Sequence, residues 1–200
     1  MITVIDYGAG NLRSVANAVR FLGETPVIES DADAVAAADK LILPGVGAFG
    51  ECMKLLEARG IDEAIKSAVT RGTPLLGICL GLQLLFESSD EFGLHKGLGL
   101  IRGKVTKIKA GGLNLPHIAW TSIEPSPTSK LMRGIKSGEY FYFVHSYCAH
   151  AEDKRDEAAC ATYGETFTAA VEHDNIFATQ FHPEKSGERG LRLLRNFIEL

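Results

Sequence analysis

One cysteine in this 200-residue sequence stands where a thiol could act as a nucleophile. Gly77-Ile78-Cys79-Leu80-Gly81 has the pattern G-x-C-x-G. It falls where an apolar, strand-like run (Leu75 to Ile78) meets a helix-like run from Leu80. This is the cysteine form of the nucleophile elbow. Such a turn forces its middle residue into strained dihedrals, and side chains at the flanking positions would crowd it. The following helix aims its unpaired N–H groups at the sulfur. They favour the thiolate and offer a donor to a developing oxyanion. Cys52, Cys148 and Cys160 lack this context and read as packing thiols.

A thiolate nucleophile needs a base. The six histidines are at 95, 117, 145, 150, 173 and 182. His182 lies in Phe181-His182-Pro183-Glu184-Lys185, after a strand-like run from Ile176 to Gln180. At a period of two, His182 and Glu184 project to one side, with Cα atoms ~7 Å apart. Glu184 can accept the Nδ1–H of the imidazole and leave Nε2 facing the thiol. His117 and His145 also sit in strand-like segments, and the residues alone leave them open as bases.

The elements that would position these groups are legible as a rhythm. Strands are expected at Ile2–Ile5, Pro26–Ile28, Lys40–Leu43 and Leu75–Ile78, by their short apolar, β-branched runs. Helices are expected over Asn11–Leu22, from a cap at Asp31 to Ala38, and over Gly50–Ala58, Asp62–Arg71 and Leu80–Ser88. Strand alternating with helix implies a mainly parallel α/β sheet flanked by helices. Gly93–Gly103 then reads as a loop. Lys104–Ile108, His117–Ile123, Tyr140–Val144, Ala158–Tyr163, Thr166–Glu172 and Ile176–Gln180 read as added antiparallel strands, and Gly187–Glu199 as a closing helix. No repeat or linker interrupts the chain, so residues 1–200 are expected to form a single domain.

Composition narrows the class. With 46% hydrophobic residues the chain can bury a full core without a disulfide or metal staple. A net charge of −4 gives no basic footprint for nucleic acid. The scattered cysteines show no zinc-type spacing and suggest a reducing, cytoplasmic setting, with no metal expected. No run approaches ~18 apolar residues, so no membrane span is expected.

GICLGLQLLF and FHPEKS, in that order and about 100 residues apart, resemble the class I triad glutamine amidotransferases. The resemblance spans the whole chain and implies a flavodoxin-like fold. It assigns Cys79 as the nucleophile on the glutamine amide, His182 as base and then acid, and Glu184 as orienter. Finer segments are similar to the glutaminase subunits that feed ammonia to a cyclase making imidazole glycerol phosphate in histidine synthesis. These are Pro44-Gly45-Val46-Gly47, Asp6 to Leu12, Tyr142 to Tyr147 and Lys185 after His-Pro-Glu. Pro116-His117-Ile118-Ala119-Trp120-Thr121 matches with departures: Ala119 and Thr121 replace a usual Gly and Asn.

Gly45-Val46-Gly47-Ala48-Phe49-Gly50 is a literal GxGxxG, but Pro44 intervenes and the strand before it is third, not first. It reads instead as a flexible peptide beside Cys79. A Val46 N–H, with Gly47 as the pivot, would join the Leu80 N–H at the oxyanion. By resemblance, Gly45, Gln83, Ser146 and Tyr147 hold glutamine. No nucleotide motif is present, and no cofactor is expected. The ammonia acceptor is then expected on another chain; the resemblance implies that this is a (β/α)8-barrel cyclase subunit, forming a heterodimer through Asn11, Arg13, Trp120, Tyr142 and Lys185. Other readings are another class I amidotransferase, an elbow-cysteine hydrolase or chaperone of the peptidase/deglycase kind, and a binding module with an idle elbow. The late His-Pro-Glu separates the first from the second.

Overall fold

The computed structural model describes residues 1–200. In the first half, β1 (Ile2–Ile5), β2 (Pro26–Glu29), β3 (Lys40–Gly45) and β4 (Leu75–Cys79) alternate with α1 (Leu12–Phe21), α2 (Ala32–Ala37), α3 (Phe49–Ala58) and α4 (Ile61–Thr70), and α5 (Leu80–Leu84) follows the elbow. The second half runs β5 (Phe86–Ser89), β6 (His95–Lys96), β7 (Ile101–Lys107), β8 (His117–Pro125), β9 (Tyr140–His145), β10 (Tyr147–Ala151), β11 (Glu157–Tyr163), β12 (Glu165–His173) and β13 (Ile176–Thr179), and ends in α6 (Gly187–Ile198).

The main sheet has the order β2-β1-β3-β4-β13-β12-β10-β7-β5-β6. Strands β2, β1, β3, β4 and β13 are mutually parallel. Beyond β13 the pairing turns antiparallel, through β12 and β10 to β7. β11 leaves that path and carries β8 and β9 with it. Alternation places the core on both faces. Leu41 and Leu43 join the cluster under α3 and α4, while Ile42 joins the cluster under α1 and α6. β4 and β13 are thus buried on both sides, and their adjacent C-terminal ends bring Cys79 and His182 together. No helix is long and apolar enough to cross a membrane.

Three local expectations change. The helix from Leu80 ends at Leu84, not Ser88, and Phe86–Ser89 joins the sheet beside β7. The Leu85 carbonyl is taken by the N–H groups of Leu100 and Ile101, at 2.8 and 3.0 Å. Sheet pairing overrides the helical pattern there. For the same reason the glycine-rich stretch 93–103 contains β6 and the start of β7. β10 carries no strand signal of its own, because Tyr147-Cys148-Ala149-His150-Ala151 has no β-branched residue; its pairing with β7 makes it a strand.

The elbow depends on close backbone approach. A Cβ on Gly77 would lie 2.7 Å from the Gly81 carbonyl oxygen, and one on Gly81 would collide with the Leu43 carbonyl of β3. Gly81→Ala should therefore cost about 2–3 kcal/mol by overpacking. It would be read as a lower denaturation midpoint, and parent-like stability would contradict this packing.

Candidate active site

Cys79 has φ 57° and ψ −108°, a conformation that costs a non-glycine residue roughly 1–3 kcal/mol. Only three non-glycine residues in the chain have positive φ. The strain is held by β4 on one side and α5 on the other, and it lifts the thiol out of the strand. The sulfur lies 3.9 Å from the Val144 carbonyl and 3.8 Å from Gln180 Nε2.

His182 follows β13 and is 2% exposed. Its backbone is clamped to β9. The His182 N–H donates to the Tyr142 carbonyl at 3.0 Å, the Tyr142 N–H donates to Ser186 Oγ at 3.0 Å, and that hydroxyl donates to the His182 carbonyl at 2.7 Å. The His182 Nδ1–H donates to Glu184 Oε1 at 2.8 Å. Nε2 is buried, makes no hydrogen bond, and lines the same pocket as Cys79. Burial pushes this imidazole down, but its interactions with the Cys79 sulfur and the Glu184 carboxylate outweigh that and raise it to about 9. The arrangement thus favours a protonated imidazole facing the Cys79 sulfur. The protonated ring adds stability below the ordinary histidine range, and this is lost as pH rises through about 9.

The pocket in front of the thiol is about 220 Å³, a size for an amino acid rather than a larger ligand. Val46, Gly47 and Leu80 line it beside the sulfur. The Val46 carbonyl is turned toward α3, where the Cys52 thiol donates to it at 3.5 Å. Gly47 has φ +105° with open space where a Cβ would be, as a pivoting peptide needs. Gly45 does not line the pocket; it packs against Gly81, Leu80 and Tyr7 beneath the elbow. Gln83, Ser146 and Tyr147 do line it. Gln83 Nε2 donates to the Tyr147 carbonyl at 2.9 Å and to Gln180 Oε1 at 3.0 Å, leaving its Oε1 free to accept.

Glu91 was missed from sequence. It supplies the only carboxylate lining the pocket, fixed by the Phe49 N–H at the start of α3, 2.6 Å away. A lone acid in a glycine-rich stretch gives no signal until the fold brings it to the thiol. His117 and His145, open as bases on sequence, bond each other. Burial pushes them down to about 4 and about 3, and His145 lines the pocket without the carboxylate that orients His182. Cys148, His150 and Glu165 bring possible metal-ligand atoms within 4.8 Å of one another. Burial pushes the Cys148 thiol up to about 12, which opposes the thiolate a metal ion would need.

The expected docking residues lie in two groups. Trp120 and Tyr142 face each other across β8 and β9 with ring centroids 6.1 Å apart, and Lys185 Nζ sits 5.8 Å over the Tyr142 ring. Asn11 and Arg13 stand at the N-terminal end of α1.

A strained elbow cysteine, a carboxylate-oriented histidine and an amino-acid-sized pocket on a mainly parallel sheet define a triad amidotransferase. Residues 3–200 match the family described as glutamine amidotransferase class-I, and the chain belongs to that family. The imidazole glycerol phosphate synthase subunit HisH of Methanothermobacter thermautotrophicus is 52% identical, with 100% of this chain and 98% of that protein covered. The subunit of the same description from Syntrophotalea carbinolica is 50% identical, with 100% of both covered. Among solved structures, PurLQS from Thermotoga maritima matches with a TM-score of 0.79 at 20% identity, covering 99% of this chain and 97% of that one, a likeness of fold alone.

Glu184→Gln removes one of the two interactions that raise His182. The alkaline limb of the kcat/KM profile should move to lower pH and turnover should fall at least ~10²-fold. An unmoved limb would contradict the assigned role of Glu184.

Proposed function

We propose that this chain is the glutaminase subunit of an imidazole glycerol phosphate synthase, one amidotransferase domain that works in the cytoplasm. The observation that carries this reading is the His182 Nε2, unpartnered, oriented through Glu184 and sharing a small pocket with the Cys79 sulfur. The Cys79 thiolate attacks the γ-amide carbon of glutamine and a tetrahedral oxyanion forms. The Leu80 N–H and a Val46 N–H, swung in at Gly47, stabilise it. His182 gives its proton to the leaving nitrogen, and ammonia departs from a Cys79 thioester. Water, deprotonated by His182, then releases glutamate and restores the thiol. Glu91 suits the substrate α-ammonium, while Gln83 and the Ser146–Tyr147 segment suit its polar groups; Gly45 acts by letting the oxyanion peptide lie close to the elbow.

The ammonia needs an acceptor, and the relatives named above are subunits. An exposed face supports a partner beside the site. Ile118, Trp120 and Tyr140 are 58%, 51% and 53% exposed, and by strand alternation Ile118 and Trp120 share an outer face with Tyr142. A patch of this kind is unusual on a free surface. Tyr142 also holds the His182 backbone, so a partner seated there would bear on the triad. The proposed partner is the cyclase subunit, a (β/α)8 barrel, in a heterodimer that passes ammonia across this face. Lys185 and the Asn11–Arg13 end of α1, which packs near the Pro183–Lys185 turn, complete the rim.

Glutaminase assays with and without the cyclase subunit test this. Turnover should be low alone and rise with the cyclase and its nucleotide. Cys79→Ala should abolish glutamate release yet still assemble, and Trp120→Ala should weaken assembly ~10-fold or more. Residual turnover in Cys79→Ala, or equal rates with and without the partner, would overturn the reading.

A further inference from the structure

Behind the exposed β8–β9 face lies a chain of buried polar groups that the triad chemistry does not use. His117 and His145 are opposite one another in the β8–β9 register, both facing inward. His117 is sandwiched between the Tyr163 ring, with centroids 3.9 Å apart, and the Phe143 ring at 5.3 Å. His145 packs edge-on to Phe167.

Proton directions in this chain follow from one acceptor. His145 Nδ1 lies 2.8 Å from the Tyr147 carbonyl, which can only accept, so Nδ1 carries the proton and Nε2 is an acceptor. That Nε2 lies 3.0 Å from His117 Nδ1, which must therefore donate. His117 Nε2 is then an acceptor, and the Thr121 hydroxyl, 2.7 Å away, donates to it. On that strand face only Ala119 stands between His117 and Thr121. Thr121 is one of the two departures from the resembled pattern, and its hydroxyl makes this contact. Beyond the Tyr147 carbonyl the line continues. Gln83 Nε2 donates to the same oxygen and to Gln180 Oε1, and Gln180 Nε2 lies 3.8 Å from the Cys79 sulfur.

We propose that Thr121, His117 and His145 are positioning residues, a one-way hydrogen-bond relay that runs from the strand carrying Trp120 to the Tyr147 carbonyl and fixes the pocket wall against which glutamine binds. The relay moves no net charge. Burial keeps both rings neutral, so each acts as a fixed dipole with one donor and one acceptor. Because every link sets the tautomer of the next, loss of the Thr121 hydroxyl strands a buried acceptor on His117, which the chain can satisfy only by inverting or moving a ring. The consequence falls on the Ser146–Tyr147 wall, hence on substrate binding more than on the chemical step. This rests on the glutaminase reading for its kinetic arm only.

Long-range ¹H–¹⁵N spectra of the full chain test the relay without reference to turnover. Two histidines should stay neutral from pH 5 to 8 in the Nδ1–H tautomer, assigned by His117→Gln and His145→Gln. Either one in the Nε2–H form, or titrating in the ordinary range, would overturn the proposal. Thr121→Val should disturb the His117 signals and raise the KM for glutamine ~5-fold or more in the assembled enzyme, with kcat within about twofold. Thr121→Ser keeps the hydroxyl and should restore both. An unchanged KM in Thr121→Val, a loss confined to kcat, or a Thr121→Ser as impaired as Thr121→Val would sink it. If the spectra agree but no variant turns glutamine over, the glutaminase reading fails and the relay stands.

Discussion

The left-handed backbone at Cys79 is the constraint on which the site depends. A β-strand that ended in relaxed geometry would carry its last side chain into one of the two apolar layers. The turn at φ 57° instead brings the sulfur into the pocket opposite His182. That geometry persists because the surroundings leave no alternative. Gly77 and Gly81 touch backbone to backbone, Gly81 lies against Leu43 of β3, and Gly45 lies against the Gly81 N–H and the Tyr7 hydroxyl. One strained residue is therefore stabilised by three glycines on two strands and a helix. The same contacts bring the Val46–Gly47 peptide alongside the thiol.

The second determinant is a contest between burial and charge at His182. A buried imidazole ordinarily loses its proton. Here the sulfur and the Glu184 carboxylate act from opposite sides and reverse that preference. His145 lies nearby in the same protein interior with no such partners, and it stays neutral. The difference between the two rings is the Glu184 carboxylate and the Cys79 sulfur beside one of them. The Tyr142 and Ser186 hydrogen bonds fix the His182 backbone from the β9 side, so the ring's position is set by the strand whose outer face is exposed.

Much of this was legible in the sequence because it is local. The elbow and the His-x-Glu spacing are each contained within five residues, and the early strands and helices follow their hydrophobic periods. What escaped was decided at long range. Phe86–Ser89 follows a helical pattern yet pairs with β7, and Tyr147–Ala151 becomes a strand through neighbours rather than propensity. Glu91 reaches the pocket only because Phe49 holds its carboxylate across 42 residues of chain. Ser186 ends the FHPEKS segment, but its bridging of Tyr142 and His182 needs both strands in place. Thr121 was visible as a departure from pattern, and only the fold supplies the partner that gives it a purpose.

The most direct measurement of the central claim is covalent trapping with a diazo-ketone analogue of glutamine, followed by peptide mass spectrometry of all four cysteines. A sulfur anion raised into an amino-acid pocket should displace dinitrogen and carry one label per chain, on Cys79 alone, with glutamine protecting it. Labelling spread over Cys52, Cys148 or Cys160, or a Cys79 that stays unmodified while the analogue binds, would contradict the account.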